Sequence, residues 1–469
     1  MDVRIPVLQS AITPVVLLGL ALAYATLRSG GVYSAEWNHA LVAIALTGIF
    51  SLTAAGIGSA PPLDPWLRWP LAALPCYVLF QLVPLPVSVL AVLSPARAEL
   101  ARHIPPTVSL TAWVPLSVLP AETLGHLLRI AAFAIVFLVL YEIGWRSRRS
   151  VWMVTVPIVA VAAAEGILGL LQWGMGEPGT LARGTYVNRD HFAGFLEMSL
   201  PFAVMYPAAL LWRGRLRAAA GARRTLGACA MITLAVAMFL AILYSFSRMG
   251  FIACLFSLFL MGGLALGGRE HSWKTWAAAL ALIGLLIGSG FVFLAPDQLI
   301  RQFGKLNSPG GITTEGRLMI WKETLPLVKV YSPFGCGMGA YVSAFFRFNQ
   351  TSPTETVDYA HNDYLQLLAE LGPVGFAIIA TLMVGILVQA LRAVFRAADP
   401  DSHCLALACT GAISAILLHS FVDFNLYIPA NALLLAWISG ITAGLQFAVR
   451  PATRLWRHLG VPQIVEADR

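Results

Sequence analysis

The sequence predicts an all-α polytopic membrane protein with about 12 transmembrane helices and a long outer loop between helices 9 and 10. Three observations predict it. Charged residues make up only 12% of the chain and hydrophobic residues 58%, whereas a soluble domain carries roughly 25% charged residues. Mean hydropathy is +0.76. The apolar runs are long and continuous rather than alternating, which excludes a closed β-barrel.

Apolar windows near the length of a span occur at 6–27, 40–59, 69–90, 121–143, 151–173, 191–212, 226–244, 249–267, 275–294, 373–394, 404–424 and 429–448. The first follows Arg4 and ends among small residues near Ala23 and Ala25, as a signal peptide can. At roughly 20 residues it is long enough to cross a bilayer and reads as an uncleaved span. Orientation follows from four arginine clusters: Arg146, Arg148 and Arg149; Arg213, Arg215, Arg217, Arg223 and Arg224; Arg392 and Arg396; Arg450, Arg454 and Arg457. Threading twelve spans with both termini in the cytoplasm puts all four on the cytoplasmic side, as the positive-inside rule requires. The same threading leaves 91–120, 174–190, the link 245–248 and the loop 295–363 outside. That last loop, at roughly 70 residues, is too long for a passive connector. It holds short helical and turn signals, including Ser308-Pro309-Gly310-Gly311 and Gly335-Cys336-Gly337-Met338-Gly339, the latter read as a flexible turn.

The net charge of +8 is spread over short loops between apolar runs, so it reads as a topology determinant and not as a nucleic-acid surface. The six cysteines form no CxxC pair, so neither a redox motif nor a zinc site is expected. Gly335 to Ala340 formally matches a dinucleotide fingerprint, yet follows no strand of a βαβ unit. Asp399-Pro400-Asp401 is the sole D-x-D and falls on the cytoplasmic side. No metal or cofactor is expected.

Three arginines break the positive-inside pattern. Arg189 precedes the sixth span, Arg248 sits in the tight outer link between spans seven and eight, and Arg317 lies in the long outer loop. Each alone could snorkel to headgroups or pair with a nearby acid. Arg248 has no acidic neighbour in sequence, and an unpaired charge near a bilayer costs a few kcal/mol, so an anion is expected there. If the three converge, their guanidinium forks suit a pyrophosphate.

His361-Asn362-Asp363-Tyr364-Leu365-Gln366 closes the outer loop at the mouth of the tenth span. A histidine here can act as a general base on a sugar hydroxyl, with Asn362 or Asp363 fixing its tautomer. The competing reading is a histidine at the start of a helix that begins near Asn362. His419 and Asp423, four residues apart, read as a buried polar pair holding helices together, and His191 as an interface anchor.

Taken together, three stretches resemble the O-antigen ligase and polymerase superfamily of bacterial membrane glycosyltransferases. They are Tyr186-Val187-Asn188-Arg189-Asp190-His191-Phe192-Ala193-Gly194, His361 to Gln366 with Glu370-Leu371-Gly372, and Val422-Asp423-Phe424-Asn425. Gly316-Arg317 with Trp321, and Pro333-Phe334-Gly335-Cys336-Gly337, fit the family's periplasmic loop. The resemblance divides the chain into N-terminal helices (1–185), a ligase-like region (186–430) containing the periplasmic loop 295–363, and a last helix with its tail (431–469).

The resemblance implies transfer of a glycan from undecaprenyl pyrophosphate to an acceptor hydroxyl at the periplasmic face of the inner membrane, without metal or nucleotide. It implies that His361 is the base and that Arg189, Arg248 and Arg317 bind the pyrophosphate. The acceptor would be lipid A–core in a ligase, or a second lipid-linked glycan in a polymerase. A transporter of lipid-linked glycan is the non-enzymatic alternative, with Glu165 as a candidate buried ionisable residue.

Overall fold

The computed structural model describes residues 4–53, 58, 60–103, 113–146, 152–177, 179–216, 221–266, 314–350, 356–397 and 399–448. Among them are fifteen helices: α1 Arg4–Leu27, α2 Ser34–Thr53, α3 Pro65–Leu82, α4 Val87–Leu93, α5 Pro95–Arg102, α6 Pro120–Arg146, α7 Val156–Met175, α8 Arg189–Leu216, α9 Ala222–Tyr244, α10 Arg248–Leu266, α11 Thr314–Val330, α12 Tyr341–Phe345, α13 Asp363–Arg396, α14 Pro400–His419 and α15 Pro429–Gly444. A two-stranded antiparallel ladder joins β1 (Leu85–Pro86) to β2 (Trp113–Val114).

Eight helices among the described residues are long and apolar enough to cross a membrane: α2, α6, α7, α8, α9, α10, α13 and α14. Ala11–Leu27 of α1 and Pro429–Gly444 of α15 are apolar but shorter. The expected span 275–294 lies outside the described residues, as do 295–313 and 351–355 of the expected loop. Two expected boundaries are corrected. The third window does not run to 90, because α3 stops at Leu82 with Val83 extended before Pro84, where the proline ring disfavours helix. The eleventh does not run to 424, because α14 ends at His419 and the chain turns through Ser420 to Tyr427.

α14 is the central helix, packing against α8, α10, α13 and α15. Its sequence permits this: Ala406, Ala408, Cys409, Gly411, Ala412 and Ala415 are all buried or surrounded, and small residues let helix backbones approach closely. α15 likewise meets α6 at a crossing where Gly444 faces Gly144.

One end of the bundle gathers the polar groups. Hydrogen bonds tie the C-terminal ends of α1, α3, α7 and α9 there, through Thr26, Gln81, Gln172 and Tyr244 respectively. The N-termini of α6, α8, α13 and α15 begin at the same end. Arg146, paired with Glu142 at 2.9 Å, and Arg392, 3.9 Å from Asp64, lie at the opposite end.

α13 bends at Gly372 (φ 64) before Pro373. Pro373 has no N–H for the Ala369 carbonyl, and the Gly335–Ala340 turn fills the gap. Cys336 N–H donates to Ala369 O (3.0 Å) and Gly337 N–H to Glu370 O (3.0 Å). Gln81 Nε2 also reaches Glu370 O (2.9 Å), and Tyr77 Oη donates to Leu371 O (2.6 Å). The buried Glu370 carboxylate accepts from Gly339 N (2.8 Å), Tyr341 N (3.3 Å) and Tyr427 Oη (2.7 Å). The turn expected to be flexible is therefore a packed cover over the bend.

Candidate active site

The turn after α14 carries Asp423, and three imidazoles surround its buried carboxylate. His191 Nε2, from the first turn of α8, lies 3.6 Å from Oδ1. His361 Nδ1, from the residue before the Asn362 cap of α13, lies 3.7 Å from the same oxygen. His419 Nε2, at the end of α14, lies 3.8 Å from Oδ2. These are ion-pair separations, longer than hydrogen bonds. Oδ1 also accepts from Phe424 N (2.9 Å). Burial works to raise the Asp423 pKa, but His191, then His361 and His419, outweigh it and hold the carboxyl well below its usual range.

The site inherits its shape from local backbone chemistry. His361 has φ 49, a left-handed conformation that costs a non-glycine residue roughly 1–2 kcal/mol. Both neighbours hold it there. Ala360 O accepts from Trp321 Nε1 (2.9 Å) and Ala360 N donates to Gln366 Oε1 (2.9 Å). On the other side Asn362 Oδ1 caps α13 through Leu365 N (3.0 Å). Asp363 N–H donates to Ser420 O (2.9 Å) and Asp423 O (3.0 Å), while its carboxylate accepts from Leu426 N (3.2 and 3.3 Å). The side chains of Asn362 and Asp363 thus serve the backbone, and the carboxylate opposite the His361 ring is Asp423. The pattern HisAsnAsp reads as a helix start whose cap fixes a histidine just outside it.

Aromatic rings wall the cluster. Phe424 meets His191 edge-on (centroids 4.5 Å, 77°) and His361 likewise (4.9 Å, 80°). Tyr359 stacks on Phe424 at 4.0 Å and 6°. Behind them His419 Nδ1 meets Glu197 at 3.1 Å. Asn431 Nδ2 donates to His191 O (2.9 Å) and Asn425 Oδ1 (2.9 Å), and Tyr186 Oη to Asn431 Oδ1 (3.0 Å). Gly194 leaves room for Asn425, which a methyl group there would strike. The first and third motifs are therefore partners in one packed corner.

The three arginines that depart from the expected charge pattern come to this corner. Arg189 opens α8, Arg248 opens α10 and Arg317 stands in the first turn of α11. Arg248 lies within electrostatic reach of Arg317, Asp190 and Arg189. Arg317 Nη1 donates to Val422 O (2.6 Å), the carbonyl beside Asp423. Four helix N-termini, those of α8, α10, α11 and α13, thus border the Val422–Asn425 turn, and N-termini favour anions.

Sequence reasoning placed His191 and the His419–Asp423 pair in structural roles. The structure makes Asp423 the centre of the cluster, through a fold contact that no local spacing encodes. Glu165, considered for transport, bonds Thr185 through Oε1 (2.7 Å) and Oε2 (2.9 Å) and so anchors the segment before α8. Asp399 caps α14 through Ser402 N (3.0 Å). Among the described residues no group of three His, Cys, Asp or Glu side chains is placed to hold a metal ion.

No curated protein matches the chain. A family model described as O-Antigen ligase matches residues 233–380, a stretch that contains Arg248, Arg317, His361 and Glu370 and stops short of Asp423. Over that stretch the chain is similar to the O-antigen ligase family.

Proposed function

We propose that the chain is a glycosyltransferase that moves a glycan from undecaprenyl pyrophosphate to an acceptor hydroxyl at the periplasmic face of the bacterial inner membrane. The observation that carries this is the approach of His361 to three arginine-bearing helix N-termini around one turn. His361 Nδ1 faces Asp423, which leaves Nε2 to take the acceptor proton as the hydroxyl oxygen attacks the anomeric carbon. The bond from that carbon to the pyrophosphate oxygen breaks, and Arg189, Arg248 and Arg317 stabilise the charge left on the lipid pyrophosphate. A single displacement of this kind inverts the anomeric configuration.

The acceptor in a ligase is lipid A–core; in a polymerase it is a second lipid-linked glycan. The pairing of Arg129 with His126 in the N-terminal part of α6 favours the second. The test is transfer in vitro with purified protein, lipid-pyrophosphate glycan and either acceptor, beside a folded His361→Ala variant. Product lost in the variant supports the assignment, and its identity separates ligase from polymerase. Undiminished product in the variant removes His361 as the base. Absence of product with either acceptor returns the transporter reading.

A further inference from the structure

The arginine trio is one cationic place beside His361; α6 carries another. Arg129 and His126 stand one turn apart on α6, with Arg129 Nη1 3.5 Å from His126 Nε2. His126 Nδ1 is occupied by Glu122 O (3.1 Å), so its other nitrogen is the one turned to Arg129. The His126 ring meets Tyr427 (5.9 Å), and Tyr427 meets Tyr359 (5.9 Å), the ring stacked on Phe424. Three rings, Tyr427, Tyr359 and Phe424, therefore connect His126 to His361. Arg129 Nε is buried with no hydrogen-bond partner among the described residues. Besides His126, Tyr359 and Glu122 act electrostatically on Arg129.

Below Arg129 the same stripe of α6 turns apolar. Ile130, Phe133 and Phe137 line a cavity of about 170 Å³ shared with α3, α13, α14 and α15, with Met338 and Tyr427 also in its wall. Arg129 and Phe133 are four residues apart and so lie on one helix face. A half-buried guanidinium whose Nε has no hydrogen-bond partner among the described residues, set over a hydrocarbon-lined space, is complementary to a lipid with an anionic head. Apolar cavities of roughly 150 Å³ hold one benzene ring, so this space has room for the proximal units of one hydrocarbon chain.

We propose that Arg129, with His126 beside it, binds the phosphate of a second, single-chain lipid whose hydrocarbon enters this cavity, and that this lipid carries the acceptor glycan. The inference rests on the transferase reading above and narrows it to joining two lipid-linked glycans.

The test is native mass spectrometry of the full-length protein in detergent with undecaprenyl phosphate as the probe. Wild type is expected to bind two molecules. Arg129→Met binds one, its second dissociation constant raised at least about tenfold; Arg248→Met also binds one, and the double variant none. Arg129→Gln, which keeps a polar group of similar reach, guards against misfolding, and both variants are checked by thermal unfolding. A single bound probe that survives Arg129→Met and is lost in Arg248→Met overturns the second site and leaves the transferase reading intact. Two probes that survive Arg129→Met and Arg129→Gln also overturn it. Displacement of the Arg129-dependent probe by lipid A overturns the single-chain assignment. A wild type whose binding is unaffected by Arg248→Met undermines the transferase reading itself.

Discussion

His361 Nδ1 lies 3.7 Å from Asp423 Oδ1, and the same two residues are locked from behind, because the amide next to His361 donates to the Asp423 carbonyl at 3.0 Å. Ring and carboxylate therefore cannot drift apart without breaking the start of α13. A base held this way should be worth about 10²–10⁴ in rate. We predict that His361→Gln lowers kcat for glycan transfer by that range while donor binding changes less than about threefold. Rate and binding measured on the same folded preparation check it; a kcat within tenfold of wild type would show that another group takes the proton.

Asp423→Asn should act on both stability and rate. At neutral pH the variant removes the anion from three imidazoles, and breaking a buried pair costs roughly 3–5 kcal/mol. The pH dependence has a definite sign. The folded-state pKa of Asp423 is depressed, so its contribution is complete above the ordinary carboxylate value of 3.8 and is lost as pH falls from there through the folded value. Wild type should thus unfold at higher temperature than Asp423→Asn at pH 7, and the gap should narrow below pH 4. Thermal unfolding of both proteins at pH 7, 5 and 3 decides it. A gap that widens in acid would reverse the assignment.

The arginines separate by what else they hold. Arg317 Nη1 bonds Val422 O at 2.6 Å, so it also braces the turn that carries Asp423. Removing a charge-assisted hydrogen bond costs roughly 1.5–3 kcal/mol, or about 10- to 100-fold in affinity. Arg248→Met and Arg317→Met should each raise the donor KM by that factor. Arg317→Met should in addition lower kcat, since the turn loosens. Steady-state kinetics with varied donor, at saturating acceptor, distinguish the two; equal kcat losses would mean that Arg317 has no bracing role.

The sequence displayed some of this plainly and hid the rest for identifiable reasons. Most of the long apolar helices could be read because a bilayer demands long uninterrupted runs. Arg189, Arg248 and Arg317 stood out because each sits on the wrong side of a charge rule. Asp423 was read as a helix staple because its two further partners, His191 and His361, come from distant helices. Arg129 escaped notice entirely, lying within an apolar window where one arginine looks like a tolerated exception. The Gly335–Ala340 turn was misjudged as flexible because glycine marks both mobility and close packing, and only the bend at Gly372-Pro373 shows which applies.

That last distinction can be tested directly with two alanine substitutions. Gly335 has φ 79, and a methyl group there would strike the Glu370 carbonyl and the Gly372 amide. Neither obstacle is a movable side-chain end; both are backbone held by the bonds from Cys336, Gly337, Gln81 and Tyr77. The left-handed conformation alone costs alanine roughly 1–2 kcal/mol, and displaced backbone adds to that. Gly174, near the end of α7, has no atom within 4 Å of the position a methyl would take and is helical. Alanine there gains up to about 1 kcal/mol in helix propensity. Gly335→Ala should therefore lower the unfolding temperature and impair transfer, since the turn backs the segment from Ala369 to Leu371 that follows His361 on α13. Gly174→Ala should leave both unchanged or raise stability slightly. Differential unfolding and transfer assays on the pair provide the check. A Gly335→Ala protein as stable and active as wild type would mean that the turn yields freely after all, and that the bend in α13 is held by Gly372 and Pro373 alone.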